Sequence, residues 1–175
     1  MLESLVELAI PRKGVVGLDL AGGPTPGDEF AMVDYSRAFE RARSAGLGRT
    51  VHAGEGRPPA EIRVAIESLH AQRIGHGTTI LDDPDVVTLV RERGVVIEAC
   101  PTSNVHTGII ASVADHPMST WIDQGLRVCI NPDNTLFSRT DAGAERQRCL
   151  SIPGMTEERI LATDVVGHAA AFTRD

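Results

Sequence analysis

A chain of 175 residues is long enough for one domain with its own core. Its 42% hydrophobic and 23% charged residues are ordinary for a soluble globular protein. A net charge of −7 and only 3% aromatics argue against gripping nucleic acid or an anionic membrane by bulk charge, and against a base-stacking platform.

Strand and helix patterns alternate along the chain. Apolar runs predict strands over 14–20, 49–53, 73–76, 95–100 and 126–131. They are short and mostly continuous, as in parallel strands covered on both faces. A helix is predicted over 28–45, with Asp28 and Glu29 in its first turn and Gly46 and Gly48 near its end. A second is predicted over 59–71. A third, over 84–93, has Asp83 as N-cap, Pro84 in the first turn and Gly94 as the stop. Further helices are predicted over 116–124, 155–162 and 164–172, the last two as a closing pair. The polar CPTSN segment at 100–104 is predicted to be a loop.

Five βα units in series build a parallel sheet with right-handed crossovers. Two architectures fit such a series, an open doubly wound sheet and an arc of a (β/α)₈ barrel. The polar motifs favour the arc, because barrel strands bring their C-terminal ends to one site. The glycine-rich phosphate loop typical of doubly wound sheets is absent from the sequence. Cys100, Cys129 and Cys149 are odd in number and lack CxxC spacing, so they predict reduced core thiols in a cytoplasmic protein. The start, MLESLVELAI, is too short and acidic for a signal peptide, and no apolar run reaches membrane-spanning length.

Four residues carry the chemistry. His52 ends a strand in TVHAGE, with Glu55 three residues on. An imidazole can bind zinc and a nearby carboxyl can move a proton, the pairing that zinc hydrolysis needs. Each also has a structural reading, a core histidine and a helix-start carboxylate. His76 sits between two glycines in RIGHGT, where small neighbours permit close approach. Asp133 follows a buried strand in VCINPDN, either as a bound carboxylate or as a turn former. His70, His106, His116 and His168 read as structural.

GLDLAGG, TVHAGEG, RIGHGT, EACPTSNVHTG and INPDN stand in an order and spacing that resemble the adenosine deaminase family, a zinc-dependent amidohydrolase-type (β/α)₈ barrel. The resemblance spans roughly residues 14–140, and 141–175 fit the family's closing helices loosely. It implies hydrolytic deamination of adenosine or deoxyadenosine to inosine and ammonia, in purine salvage. His52 and Asp133 would be Zn²⁺ ligands. Glu55 would protonate the purine ring, and His76 would orient the attacking water. Gly22, through its backbone, and Asn134 would contact the purine nucleoside.

Two departures from the family pattern matter. Asn134 stands where the family often has aspartate, and an amide donates to a purine nitrogen without first being protonated. The family's His-x-His ligand pair, carried on its first strand, occurs nowhere in this sequence. Residues 1–175 are therefore expected to form a single partial domain, about the last five βα units of a (β/α)₈ barrel, without its first three strands. Such an arc is expected to have raw strand edges and little activity alone, to self-associate or to take an N-terminal complementing chain. An adenine or modified-adenosine deaminase, or a catalytically dead purine-binding fragment, are the competing expectations.

Overall fold

The computed structural model describes residues 2–22 and 31–173. In chain order the helices and strands are α1 (Leu2–Ala9), β1 (Gly17–Leu20), α2 (Ser36–Ser44), β2 (Gly48–Ala53), α3 (Ala60–Glu67), β3 (Arg73–His76) and α4 (Pro84–Arg93). They continue with β4 (Val96–Ala99), α5 (Pro101–His106), α6 (Met118–Asp123), β5 (Arg127–Ile130), α7 (Thr135–Ser138), α8 (Ala142–Cys149) and α9 (Glu157–Ala169). All five strands are parallel, and their order in the sheet is β1-β2-β3-β4-β5. A doubly wound sheet reverses its strand order at a switch point. This sheet never reverses, so it is an arc of a (β/α) barrel, as the motifs anticipate. Among the described residues β1 and β5 each pair with one neighbour.

Register sorts the side chains onto two faces. Val51, Ile74, Ile97 and Val128 are aligned across four strands and buried against the helices. With Phe39, Ile62, Ile66, Leu69, Val90 and Trp121 they form the main core. Full burial of each aliphatic side chain contributes about 1.5–3 kcal/mol. The adjacent row, His52, Gly75, Glu98 and Cys129, faces the inside of the arc. That face is polar rather than apolar: Arg73 Nε lies 3.0 Å from Glu98, which also accepts the Thr50 hydroxyl at 2.7 Å. At the strands' N-terminal ends Phe172 closes the inner face. Its ring lies under the Arg73 guanidinium at 3.7 Å, and a side chain at Gly48 would run into it.

The five predicted strands are all present: β3 matches its predicted range, β2 is extended by one residue, and β1, β4 and β5 are trimmed by two or three. Asp83 caps α4 by accepting from the Asp85 and Val86 amides at 2.9 and 3.3 Å, and Gly94 ends it at φ +63°. Other boundaries differ. The helix predicted from residue 28 is a 3₁₀ turn, Met32–Tyr35, leading into α2. The expected first-turn residues Asp28 and Glu29 lie outside the described residues. CPTSN is helical because Pro101 occupies the first turn, where no amide is required. The predicted closing pair is one helix, α9, started by Thr156 and continuous through buried Thr163, whose hydroxyl donates to the Ile160 carbonyl at 2.7 Å. The sequence does not predict α1, α7 or α8.

His116 illustrates the structural role expected of it. It is buried, its Nδ1 accepts from the Met118 amide at 3.2 Å, and its ring meets Trp121 edge-on. Burial pulls its pKa from 6.5 down to about 3. The unfolded chain takes up this proton first, so the contribution of neutral His116 is complete above about pH 6.5 and is lost as pH falls toward 3. The slope is about 1.4 kcal/mol per pH unit. Melting curves recorded between neutral and mildly acidic pH are expected to show this loss. His116→Asn, which keeps an acceptor for Met118, should flatten it, and an unchanged slope would remove His116 as its cause.

Candidate active site

The C-terminal ends of the strands carry the polar motifs. On β2, His52 points inward and its Nδ1 lies 3.0 Å from Asp19 Oδ1 of β1. Glycine at the neighbouring position on β3 leaves the ring room, because a Cβ at Gly75 would stand 3.1 Å from the His52 ring nitrogen. The Asp19 hydrogen bond raises the His52 pKa against the opposing pull of burial, and Asp133 and Glu55 add to the rise. With Nδ1 committed to a carboxylate, Nε2 is left to face the interior of the arc, the arrangement of a metal-binding histidine.

His76 ends β3 in a left-handed conformation, φ +67°, followed by Gly77 at +63°. The unusual backbone turns its ring to the mouth of the arc, with centroid 5.0 Å from that of His52. Such a conformation costs about 1–2 kcal/mol for a residue with a side chain. Asp133 is also left-handed, at +56°. Backbone strain of this kind accumulates at functional sites. His76 is 2% exposed, and burial lowers its pKa, opposed chiefly by the Glu55 carboxylate 3.7 Å away. The Asn104 amide nitrogen lies 3.1 Å from His76 Nδ1. With Asn104 donating, Nδ1 is bare and Nε2 carries the proton.

Asp133 follows β5 and its Oδ2 accepts the Ser103 hydroxyl at 2.6 Å. The ligand atoms of His52, His76 and Asp133 lie within 4.8 Å of one another. Two imidazoles and a carboxylate are a donor set suited to a divalent ion such as zinc. Among the described residues no thiol joins this cluster, and burial pushes Cys129 up to about 11, Cys149 up to about 12 and Cys100 well above its usual range.

The structure therefore brings His52, Glu55, His76 and Asp133 together at one mouth. Gly22 lies beyond the end of β1 on the same side, exposed at φ +78°. Asn134 is next to Asp133, and its carbonyl oxygen caps α7 by accepting from the Leu136 and Phe137 amides, both at 3.1 Å. Only its amide nitrogen remains free to meet a ligand. Asp19, Ser103 and Asn104 were not singled out from the sequence. Asp19 and the Ser103-Asn104 pair lie inside GLDLAGG and CPTSN, and their polar side chains beside apolar strands were the available signal.

A strand-end donor set of this kind on a parallel arc is the architecture of a metal-dependent barrel hydrolase. The chain belongs to the adenosine deaminase family, whose profile matches residues 1–175. The adenosine deaminase of Clostridium kluyveri is 42% identical over 129 residues, covering 74% of this chain and 36% of the relative. That of Klebsiella pneumoniae is 36% identical over 172 residues, covering 97% and 50%. The crystal structure of an adenine deaminase from Arthrobacter aurescens superposes with a TM-score of 0.87 at 28% identity, covering 99% of this chain and 52% of that one. The chain thus spans about half, or less, of the length of these relatives. Among the described residues no helix is long and apolar enough to cross a membrane.

Proposed function

We propose that residues 1–175 supply one part of a zinc-dependent deaminase centre that acts on adenosine or deoxyadenosine, giving inosine and ammonia in cytoplasmic purine salvage. The observation that carries this reading is the convergence of His52, His76 and Asp133 within 4.8 Å, with Glu55 beside them. His52 Nε2 and the Asp133 carboxylate would hold Zn²⁺. A zinc ion in such a site lowers the pKa of bound water to about 7.

The chain's own residues do the rest. Glu55 delivers a proton to the ring nitrogen beside the amine-bearing carbon of the purine. The water oxygen adds to that carbon as one of its protons passes to the Asp133 carboxylate; that proton goes to the departing amine, the carbon–nitrogen bond breaks and ammonia leaves, and the remaining hydroxyl proton returns to Glu55 as the 6-oxo group forms. His76, with Nδ1 3.1 Å from the Asn104 amide nitrogen, would in the tautomer that accepts from Asn104 present its Nε2 proton to the incoming oxygen and hold it in line. The Gly22 backbone and the free Asn134 amide nitrogen contact the purine. Donation from an amide needs no protonated carboxyl. Relatives that are adenosine deaminases at 36% and 42% identity favour adenosine over adenine, the substrate named for the 28% identical Arthrobacter aurescens structure.

The sequence has no His-x-His pair, and of the three residues gathered here His52 and Asp133 would hold the ion while His76 serves the water. We infer that 1–175 is a single partial domain and that full activity requires the part of the barrel that these residues do not contain. The test is ammonia release from adenosine in the presence of zinc. The chain is assayed alone and co-expressed with the portion of the Klebsiella pneumoniae relative that it does not cover. Turnover is expected only in the combination. Robust turnover by the chain alone would overturn the division of the site, and none in either case would overturn the deaminase reading.

A further inference from the structure

We propose that Glu145, on α8, is a positioning residue that sets the orientation of His76 and Asp133 from behind. The proposal rests on the reading of these two residues as parts of the active site. Glu145 is 0% exposed, although it is a carboxylate. Burying such a group is costly unless its oxygens find partners. They find them around it: Oε1 accepts the backbone amide of Thr102 on α5 at 2.7 Å, while Oε2 accepts the Thr140 hydroxyl at 3.3 Å and lies 3.8 Å from Arg148 Nη1. Arg148 Nη1 also donates to the Thr102 hydroxyl at 3.1 Å. Thr102 is therefore gripped from α8 through both its backbone and its side chain.

The next two residues are the ones that touch the site. Ser103 donates to Asp133, and Asn104 meets His76 Nδ1. α5 is six residues long and begins immediately after β4. A helix of that length has little stability of its own, so its rotation and height must be fixed by its surroundings. Its early amides have no partners within the helix, and Glu145 takes one of them from 43 residues away in sequence. The chain of contacts runs Glu145, Thr102, then Ser103 to Asp133 and Asn104 to His76. His52 stands outside this chain of contacts, because Asp19 on β1 holds it.

That asymmetry gives the test. Ring-nitrogen NMR of the full, metal-free chain reports the tautomer and hydrogen bonding of each imidazole. Glu145→Leu removes the acceptor for Thr102 while keeping an apolar fit. Glu145→Asp keeps the charge but is one methylene shorter, and serves where the leucine variant fails to fold. Either is expected to shift the His76 nitrogens and leave those of His52 in place, and Glu145→Gln, which retains an acceptor, to restore the parent spectrum. Zinc affinity of the parent and of the displaced variants is measured alongside, with a loss of about 10–100-fold expected for a group that orients a metal site indirectly. Unchanged His76 resonances in a folded Glu145 variant, or equal movement of His52, would overturn the proposal. A parent chain that binds no zinc, with His76 still responding to Glu145, would instead count against the metal reading and leave the positioning role standing.

Discussion

Glu55→Gln is expected to lower ammonia release from adenosine by about 10²–10⁴-fold, the usual contribution of a positioned proton donor. The assay is the complemented one, in which the chain is supplied with the portion of the Klebsiella pneumoniae relative that it does not cover. Glu55 lies just past β2, with its Oε1 3.7 Å from His76 Nδ1 at the same mouth. Glutamine keeps the length and shape of the side chain and removes the transferable proton. The loss should therefore fall on kcat, with KM close to the parent value. A variant that keeps most of its kcat would show that the proton comes from elsewhere.

His52→Ala is expected to weaken zinc binding by more than about 100-fold, above the range for groups that only orient a ligand. The reason is local. His52 supplies an imidazole whose other nitrogen is anchored by a carboxylate, at 3.0 Å from Asp19. Its removal leaves Asp133 and the protonated face of His76, too little to hold a divalent ion firmly. Competition with a chromophoric chelator measures the change. Asp19→Asn, which loses the anchor but keeps the imidazole, should fall between parent and alanine variant. Equal affinity in parent and His52→Ala would separate this histidine from the metal.

The sequence discloses the strands because each is a short apolar run between turn-forming residues, and the polar residues at their ends favour the unreversed strand order. It discloses His52, Glu55, His76 and Asp133 because each stands at or just past the end of such a run, and all but His52 adjoin a glycine or proline. The groups behind them are harder to see. Asp19 and His52 meet across a strand pair, a contact set by register rather than by spacing. Ser103 and Asn104 sit in a polar segment that reads as a loop, because neither propensity nor periodicity marks a six-residue helix held from outside. Glu145 lies in AGAERQR, where an acidic residue looks solvated, yet the fold closes α5 over it completely. Thr163 looked like a break between two helices, but its hydroxyl is satisfied by the preceding turn and the helix runs on.

What remains is whether the imidazole of residue 52 and the carboxylate of residue 133 meet at one divalent ion. X-ray absorption at the zinc edge of the zinc-loaded chain reads this directly. One imidazole nitrogen and at least one carboxylate oxygen are expected at about 2.0–2.2 Å, with water completing the shell. A spectrum with no imidazole scattering, or one unaltered by His52→Ala, would contradict the account.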